Sequence, residues 1–257
     1  MGKTNSGFYA AKKEKRLKSH LPVAILIDKS GSTADIHDLM ENCARNLLKR
    51  LQDELTFRGI VEVLIVFFSE TYQEADFTPL EEIDPAALSV PKSEGTTHTG
   101  QALLYALERL TEKKTVWKQA GEDYFQPLMF LLTDGYPTAG ELQNPERASA
   151  ELRKAHEEAQ RAVEEAYAEA AAAIQGLEGK ERLLFIAAGV QRRDGESADM
   201  DSLRKLSAGD DHVFPVSDGD GMDGVQRFFN QIYTMTKLVY KRTPMSEILE
   251  ESLDYPV

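Results

Sequence analysis

The sequence predicts a protein of the α/β class, in which an open and mostly parallel sheet carries helices on both faces. The first observation is a set of four uninterrupted apolar runs, at 23–27, 61–68, 128–132 and 183–190, each rich in Val, Ile, Leu or Phe. Continuous apolar runs indicate strands that are buried on both faces, as in parallel sheets. The second observation is the helical spacing of apolar residues between these runs, which gives the order β-α-β-α-β.

The helices between and after these strands are predicted from apolar residues at steps of three and four. Such residues recur at Ile36, Met40, Cys43, Leu47 and Leu51, at Ala102, Leu103, Ala106, Leu107 and Leu110, and at Val225, Phe228, Phe229, Ile232 and Val239. A short helix is expected near 200–206, a last strand at 212–216 and an antiparallel edge strand at 72–77. Right-handed crossovers then give a Rossmann-like sheet of about six strands.

A long tract of Ala, Glu, Arg and Lys at 146–175 contains neither proline nor glycine and has strong helix propensity. One face of this helix is lined by Ala148, Leu152, Ala155, Ala159, Ala162, Ala166, Ala170 and Ile174. The pattern favours the crossover helix between the third and fourth apolar runs, extended by a few turns and with a solvated charged face. A protruding helix that contacts a partner is the alternative, and the sequence does not separate the two.

Composition and charge exclude several classes of function. The chain of 257 residues has a formal net charge of −13, which argues against nucleic acid as the main partner. The single cysteine, Cys43, excludes an internal disulfide and suits a reducing cytoplasm. We recognise no secretory signal or membrane-spanning run, so no membrane association is expected. We expect a basic leader at 1–19, one domain at 20–240 and a C-terminal tail at 241–257.

Three polar segments lie where strands end or where a helix begins. They are Asp28-Lys-Ser30-Gly-Ser32 after the first apolar run, Gly-Thr-Thr-His-Thr-Gly at 95–100 before the second long helix, and Thr133-Asp134-Gly135 after the third run. In an open α/β sheet, ligands bind beyond the carboxyl ends of the strands. If the first and third runs are neighbours in the sheet, the three segments converge on one place.

The polar side chains of these segments are mostly oxygen donors, which favours a hard cation. Two carboxylates and several hydroxyls suit Mg²⁺, Mn²⁺ or Ca²⁺ better than Zn²⁺, which prefers nitrogen and sulfur. Because at most two negative charges face the dication, it stays electrophilic and can accept a carboxylate from outside. A hydrolase triad with His98 lacks the Gly-x-Ser-x-Gly elbow, and a phosphatase would need an acid where Ser30 stands. We therefore expect no enzymatic activity.

In this order, Asp28-x-Ser30-x-Ser32, the Gly-Thr-rich loop and Thr133-Asp134-Gly135 resemble the metal-ion-dependent adhesion site (MIDAS) of von Willebrand A (VWA) domains, over roughly 20–240. The segments LPVAILIDKSGS and WKQAGEDYFQPLMFLLTDGYPT are similar to the bacterial tellurite-resistance (TerY-like) branch. The resemblance implies a divalent cation, with Mg²⁺ first and Ca²⁺ or Mn²⁺ as alternatives. The ligands that it implies are Asp28, Ser30, Ser32, Thr97 and Asp134.

The assignment of Thr97 depends on aligning Gly100 to Leu103 with the start of the family's helix, and Thr96 is the alternative. The sequence departs from the usual pattern at Thr33, where methionine commonly follows the second serine, and at His98 beside the threonine. We expect these departures to affect the choice of partner more than the binding of the metal.

The resemblance implies a non-catalytic cytoplasmic adaptor whose cation takes an Asp or Glu from a partner protein. In this branch the partners include protein kinases and PP2C-type phosphatases of stress-response or phage-defence systems. One alternative is a VWA subunit of a MoxR- or chelatase-type AAA+ ATPase complex, and another is a magnesium-dependent phosphohydrolase. Pattern and resemblance together do not name the partner.

Overall fold

The structure, a computed structural model, describes residues 18–135, 137–142, 145–190, 197–216 and 221–242, and its strands and helices alternate as predicted. The strands are β1 (Ser19–Asp28), β2 (Val61–Phe68), β3 (Thr78–Pro79), β4 (Asp123–Tyr124), β5 (Leu128–Thr133), β6 (Leu184–Val190) and β7 (Val213–Val216). The α-helices are α1 (His37–Asp53), α2 (Thr99–Gln119), α3 (Ala150–Glu178), α4 (Met200–Arg204) and α5 (Gly221–Tyr240).

The strands form one sheet in the order β3-β2-β1-β5-β6-β7, and the short β4 pairs with the start of β1. Among the described strands only β3 runs antiparallel to its neighbour. Every residue of β1 after Ser19 is buried, which explains why the run is apolar throughout and does not alternate. The predicted α/β class and the mostly parallel open sheet are confirmed, and β1 and β5 are the neighbours that the predicted site requires.

The helices cover both faces of the sheet, and successive residues of β1 contact opposite layers. Val23 and Ile25 belong to the core that includes apolar residues of α1 and α5, whereas Ala24 and Leu26 belong to the core that includes α2 and α3. This alternation follows from the twofold periodicity of a strand. Both layers are apolar, so the sheet is buried and only its edges and strand ends are available for function.

The antiparallel edge strand lies further along the chain than predicted. We expected it at 72–77, but in this stretch only Tyr72 pairs, in an isolated bridge with Phe68, and the strand itself is β3. The physical reason is the Tyr105 hydroxyl on α2, which accepts from the backbone N–H of Ala75 at 2.8 Å and donates to its carbonyl at 2.5 Å. Both groups that a ladder would need at Ala75 are therefore occupied.

The long helix predicted at 146–175 is α3, which connects β5 to β6 as a crossover helix should. It begins after Ser149, whose side chain accepts from the N–H of Leu152 at 3.1 Å, as an N-cap residue does. The two halves differ in burial. None of the residues 150–162 is buried, although Leu152 is apolar, whereas Ala170 and Ile174 of the second half are in the core.

Helices α2 and α3 cross at a close contact of their backbones. A Cβ atom added to Gly100 would lie 2.3 Å from the nitrogen of Tyr167 and 2.4 Å from the carbonyl carbon of Ala166. Only glycine permits this distance. Because α2 begins at the carboxyl edge of the sheet, the exposed half of α3 lies on that side of the crossing.

Both predicted terminal segments fall mainly outside the described residues. This applies to 1–17 of the predicted basic leader and to 243–257 of the predicted tail, while Ser19 belongs to β1. None of the helices in the described ranges is long and apolar enough to cross a membrane.

Candidate metal centre

The two predicted aspartate ligands lie side by side at the carboxyl edge of the sheet. Asp28 is the last residue of β1, and Asp134 directly follows Thr133 at the end of β5. The two strands are parallel neighbours, with Ile27 paired to Leu132. Both aspartates are buried. The convergence of the first and third polar segments is therefore a consequence of strand register.

A chain of hydrogen bonds links the side chains of the first loop to the third. Asp28 Oδ1 accepts from the backbone N–H of Ser30 at 2.7 Å. The Ser32 hydroxyl donates to Asp134 Oδ2 at 2.5 Å, and 2.9 Å separates Ser30 Oγ from Ser32 Oγ. Since the single hydroxyl proton of Ser32 goes to Asp134, Ser30 is the donor in the second bond. Four of the five predicted ligands are thus connected by hydrogen bonds, with the backbone N–H of Ser30 as the link to Asp28.

Two threonines outside the predicted set of ligands hold this cluster in place. The Thr133 hydroxyl donates to Asp28 Oδ2 at 2.6 Å. The Thr33 hydroxyl lies 3.0 Å from the carbonyl oxygens of both Asp28 and Ser30 and donates to them. Thr33 stands where the family commonly has methionine, and its hydroxyl stabilises the conformation of the loop that carries Asp28 and Ser30. The signal for Thr133 was its place beside Asp134 at a strand end.

The charge of Asp28 is unfavourable in the absence of a cation. Burial, followed by repulsion from Asp134, raises the pKa of Asp28 from 3.8 to about 7, although hydrogen bonds from Thr133 and Ser30 act in the opposite direction. A dication held by Asp28 and Asp134 would supply the positive charge that offsets both penalties. The donor set also fits such a cation, since carboxylate and hydroxyl oxygens are hard ligands.

The loop before α2 is tied to both other loops by its backbone. The carbonyl of Gly95 accepts from the N–H of Gly31 at 3.2 Å, and Thr97 exchanges two backbone hydrogen bonds with Thr138 at 3.2 and 3.0 Å. This arrangement places the second predicted segment, the loop at 95–100, against the first and against the chain that follows β5. All three polar segments therefore meet at one edge of the sheet.

Thr97 and Thr96 occupy different environments within this loop. Thr97 is buried, and its hydroxyl forms no hydrogen bond with any described residue. Thr96 is half-buried, and its hydroxyl lies 3.4 Å from Nε2 of His98. Because the Thr97 hydroxyl has no competing hydrogen bond among the described residues, Thr97 is favoured over Thr96. The choice between the two as a metal ligand stays a prediction.

The turn after Asp134 is fixed by the short helix α4. Gly135 has a φ of +86°, and a Cβ atom there would lie 2.7 Å from the carbonyl oxygen of Asp199. The carbonyl of Asp134 accepts from the N–H of Asp199 at 2.8 Å. The glycine of Thr-Asp-Gly is thus required both by its backbone conformation and by the close approach of α4.

The described parts of the chain offer little support for a different metal site or for a catalytic site at His98. No group of three or more His, Cys, Asp and Glu side chains within them is arranged to hold a metal. His98 lies within hydrogen-bonding distance of Thr96 and Gln101, and it forms no side-chain hydrogen bond with Ser30 or Ser32. The cluster of two carboxylates and hydroxyls is the arrangement best suited to a cation.

Comparison with known proteins places the chain in a family. Residues 23–229 match the von Willebrand factor type A domain. A comparison with curated protein sequences gives no match. Among solved structures, the chain is similar to the pilus adhesin SpaC from Lactobacillus rhamnosus GG in an open conformation, with a TM-score of 0.58 and 15% identity, covering 87% of this chain and 30% of SpaC.

Two further structures give comparable superpositions. The PilB minor pilin from Streptococcus sanguinis has a TM-score of 0.53 and 13% identity, covering 94% of this chain and 64% of PilB. Proximal thread matrix protein 1 from the mussel byssus has a TM-score of 0.52 and 18% identity, covering 86% of this chain and 46% of that protein. This chain thus spans less than two thirds of the length of each of the three proteins.

At these identities the solved structures establish a shared fold only. The family match covers most of the chain and contains all three polar segments of the candidate site. The chain belongs to the von Willebrand factor type A domain family.

Proposed function

We propose that this VWA domain is a metal-dependent adaptor that binds a partner protein through a divalent cation. Asp28, Ser30, Ser32, Thr97 and Asp134 hold the cation, and an Asp or Glu of the partner completes its coordination. The observation that carries the proposal is the hydrogen-bonded cluster of Asp28, Ser30, Ser32 and Asp134. It brings hard oxygen donors from two adjacent strand ends to one place.

The charge of the cluster supports capture of a carboxylate. Two carboxylates neutralise a dication only formally, and the serine and threonine hydroxyls add no negative charge. A third carboxylate, supplied by a partner, is then attracted to the cation and displaces water. Mg²⁺ is the ion we propose first, with Ca²⁺ and Mn²⁺ as alternatives, because all donors are oxygen atoms.

We propose that the domain has no enzymatic activity of its own. The residue two positions after Asp28 is Ser30, which cannot serve as the general acid that an aspartyl-phosphate mechanism needs. The Ser32 hydroxyl donates to Asp134, and within the described ranges it forms no hydrogen bond with a histidine. These features support binding over turnover.

The cellular setting is the finer part of the proposal. Two segments similar to the TerY-like branch support a bacterial stress-response or phage-defence system, with a kinase or a PP2C-type phosphatase as the partner. We also propose a cytoplasmic location, since the single cysteine, Cys43, lies buried in α1, where no disulfide partner exists within the chain.

The first experiment measures the cation itself. Isothermal titration of the metal-free protein with Mg²⁺, Ca²⁺, Mn²⁺ and Zn²⁺ should show one site, which Asp28→Ala and Asp134→Ala abolish. Zn²⁺ is included because it generally binds a given site more tightly than Mg²⁺. Asp38→Ala is the matched control, since Asp38 is a fully exposed carboxylate on α1. Equal binding by all variants would exclude this cluster as the metal centre.

The second experiment tests the adaptor role. Affinity capture from the native host is compared in Mg²⁺ and in chelator, using the parent protein, Asp28→Ala, Thr97→Ala and Asp38→Ala. We expect one partner that is retained only by the parent and Asp38→Ala, and only in Mg²⁺. Retention that is identical in chelator and in the site variants would contradict the proposal.

A further inference from the structure

Three basic side chains gather at the amino edge of the sheet, at the opposite end from the metal centre. Lys114 and Lys118 lie near the end of α2, and Arg182 lies in the turn before β6. The ammonium groups of Lys114 and Lys118 lie 5.4 and 6.0 Å from the centre of the Tyr124 ring in β4. Lys114 Nζ also donates to the carbonyl oxygen of Arg182 at 3.4 Å.

The backbone around Arg182 holds it beside Lys114. Glu181 adopts a φ of 53°, and the N–H of Arg182 donates to the carbonyl of Leu177 at 2.9 Å. This turn closes α3 and directs the chain into β6. The position of the Arg182 carbonyl that accepts from Lys114 is therefore fixed by the helix end.

No carboxylate among the described residues neutralises the charge of Lys114. Lys114 forms no ion pair with any described residue, whereas the adjacent Lys113 donates to Glu62 at 3.2 Å. Half-burial of Lys114, followed by repulsion from Lys118 and Arg182, lowers its pKa to about 8. At pH 7 about a tenth of such side chains are neutral amines, against about one in three thousand for an ordinary lysine.

We propose that Lys114 is an acylation site, whose amine takes an acyl group from an anionic donor of the acyl phosphate class that Lys118 and Arg182 hold beside it. The lone pair of Nζ forms the amide bond to the carbonyl carbon, and the bond from that carbon to the phosphate oxygen breaks. Phosphate leaves with the electron pair, and the surplus proton on nitrogen passes to water or to phosphate.

The surroundings match both requirements of this reaction. The phosphate of the donor carries negative charge, and the exposed cations of Lys118 and Arg182 offer charge-assisted hydrogen bonds to it. The neutral amine of Lys114 supplies the nucleophile. A less basic amine is also a weaker nucleophile, so the expected net gain over an ordinary lysine at pH 7 is about tenfold.

The test uses the whole chain and acetyl phosphate as the probe. Quantitative mass spectrometry follows the acetylation of each lysine over time, between pH 6 and pH 10. We expect Lys114 to react about tenfold faster than Lys113 at pH 7, with a rate that levels off above about pH 8. Lys113 is the internal control because it is the preceding residue on the same helix and is paired with Glu62.

A second donor separates recruitment from nucleophilicity. Acetylation by the neutral N-hydroxysuccinimide ester of acetate should also be faster at Lys114 than at Lys113. Lys118→Gln and Arg182→Gln should slow the reaction with acetyl phosphate more than the reaction with the ester. If Lys114 reacts no faster than Lys113 with either donor, the proposed site is wrong. If both variants slow the two donors equally, Lys118 and Arg182 do not hold the anion.

Discussion

The surroundings of the Asp28 carboxylate include hydrogen-bond donors for its negative charge but no counterion among the described residues. Two hydrogen-bond donors, the Ser30 N–H and the Thr133 hydroxyl, stabilise its anion, while burial and Asp134 oppose it. Burial of a charge without a counterion is costly. This cost destabilises the folded protein when no metal is bound. Removing the charge of Asp28 should therefore stabilise the metal-free form.

We expect Asp28→Asn to raise the melting temperature of the metal-free protein at pH 8 by several degrees. The folded-state pKa of Asp28 is raised from 3.8 to about 7, so the folded chain binds the proton more tightly than the unfolded chain. The stability of the parent protein therefore falls as pH rises from about 4 to about 7, and it stays lower above pH 7. Calorimetry in EDTA at pH 4 and pH 8 measures the difference.

At pH 4 the parent and Asp28→Asn should melt together, because the aspartate is then protonated in the folded state. Asp38→Asn, at a fully exposed position, should change neither melting temperature. A lower melting temperature for Asp28→Asn at pH 8 would show that the carboxylate is stabilising even without metal.

The pair Thr97→Ala and Thr96→Ala should separate the two candidate ligands. We expect Thr97→Ala to weaken Mg²⁺ binding by about tenfold and Thr96→Ala to leave it nearly unchanged. The physical reason is that the Thr97 hydroxyl has no competing hydrogen bond among the described residues, whereas that of Thr96 lies near His98. Titration calorimetry gives both affinities, and the reverse order would assign the role to Thr96.

At this scale the sequence indicates which residues meet but not which atoms touch. Asp28, Ser30, Ser32 and Asp134 could be predicted to gather, because parallel strands end at one edge. The hydrogen bond from Thr133 to Asp28 could not, since the last residue of a buried strand gives no sign of where its hydroxyl points. The same holds for the bond between Ser32 and Asp134, which joins residues 102 positions apart.

Among the helices, the crossing of α2 and α3 carries the strictest steric requirement near the site. It lies at Gly100, one residue after the start of α2 and three after Thr97. The contact is between backbones, so neighbouring side chains cannot move aside to relieve a clash. The position of the metal loop therefore depends on the packing of two helices.

Gly100→Ala should destabilise the fold by about 3 kcal/mol or more, because its Cβ would lie within 2.4 Å of the α3 backbone. Gly176→Ala is the matched control within α3, since nothing lies within 4 Å of its Cβ position. That substitution should stabilise by about 0.5–1 kcal/mol through helix propensity. Urea denaturation measures both, and similar effects at the two sites would contradict the close crossing.

The elements whose position is set by continuous burial could be predicted closely. Strand β2 occupies 61–68, the whole predicted run, because both of its faces are covered. The edge strand was misplaced because its boundary is decided by the distant Tyr105, which takes the hydrogen bonds of Ala75. Similarly, the alanine stripe of α3 does not reveal where burial stops, since the same spacing continues through its exposed half.

For the whole molecule, cation binding and net charge predict different responses to salts. Saturating Mg²⁺ should stabilise the folded protein by about 3 kcal/mol at a hundredfold excess over the dissociation constant, a shift of several degrees. A chain with a net charge of −13 also gains from general screening. Differential scanning fluorimetry in MgCl₂ and in NaCl of equal ionic strength separates the two effects.

A variant of the metal centre separates specific cation binding from general ionic screening. Asp28→Ala should keep the response to NaCl and lose the additional shift produced by MgCl₂. If MgCl₂ and NaCl shift the parent protein equally, the stabilisation is general screening and no specific cation site contributes.

The unequal burial of α3 implies a gradient of local stability along a single helix. Residues 150–162 form about three and a half turns without a buried side chain, close to the length at which an isolated helix is marginal in water. We expect fast amide exchange there and slow exchange at 163–178, measured by hydrogen–deuterium exchange. Fraying would leave this end of α3 in a helix–coil equilibrium with high conformational entropy. A molecule that binds there would shift the equilibrium towards helix, and the helix content of the protein would rise.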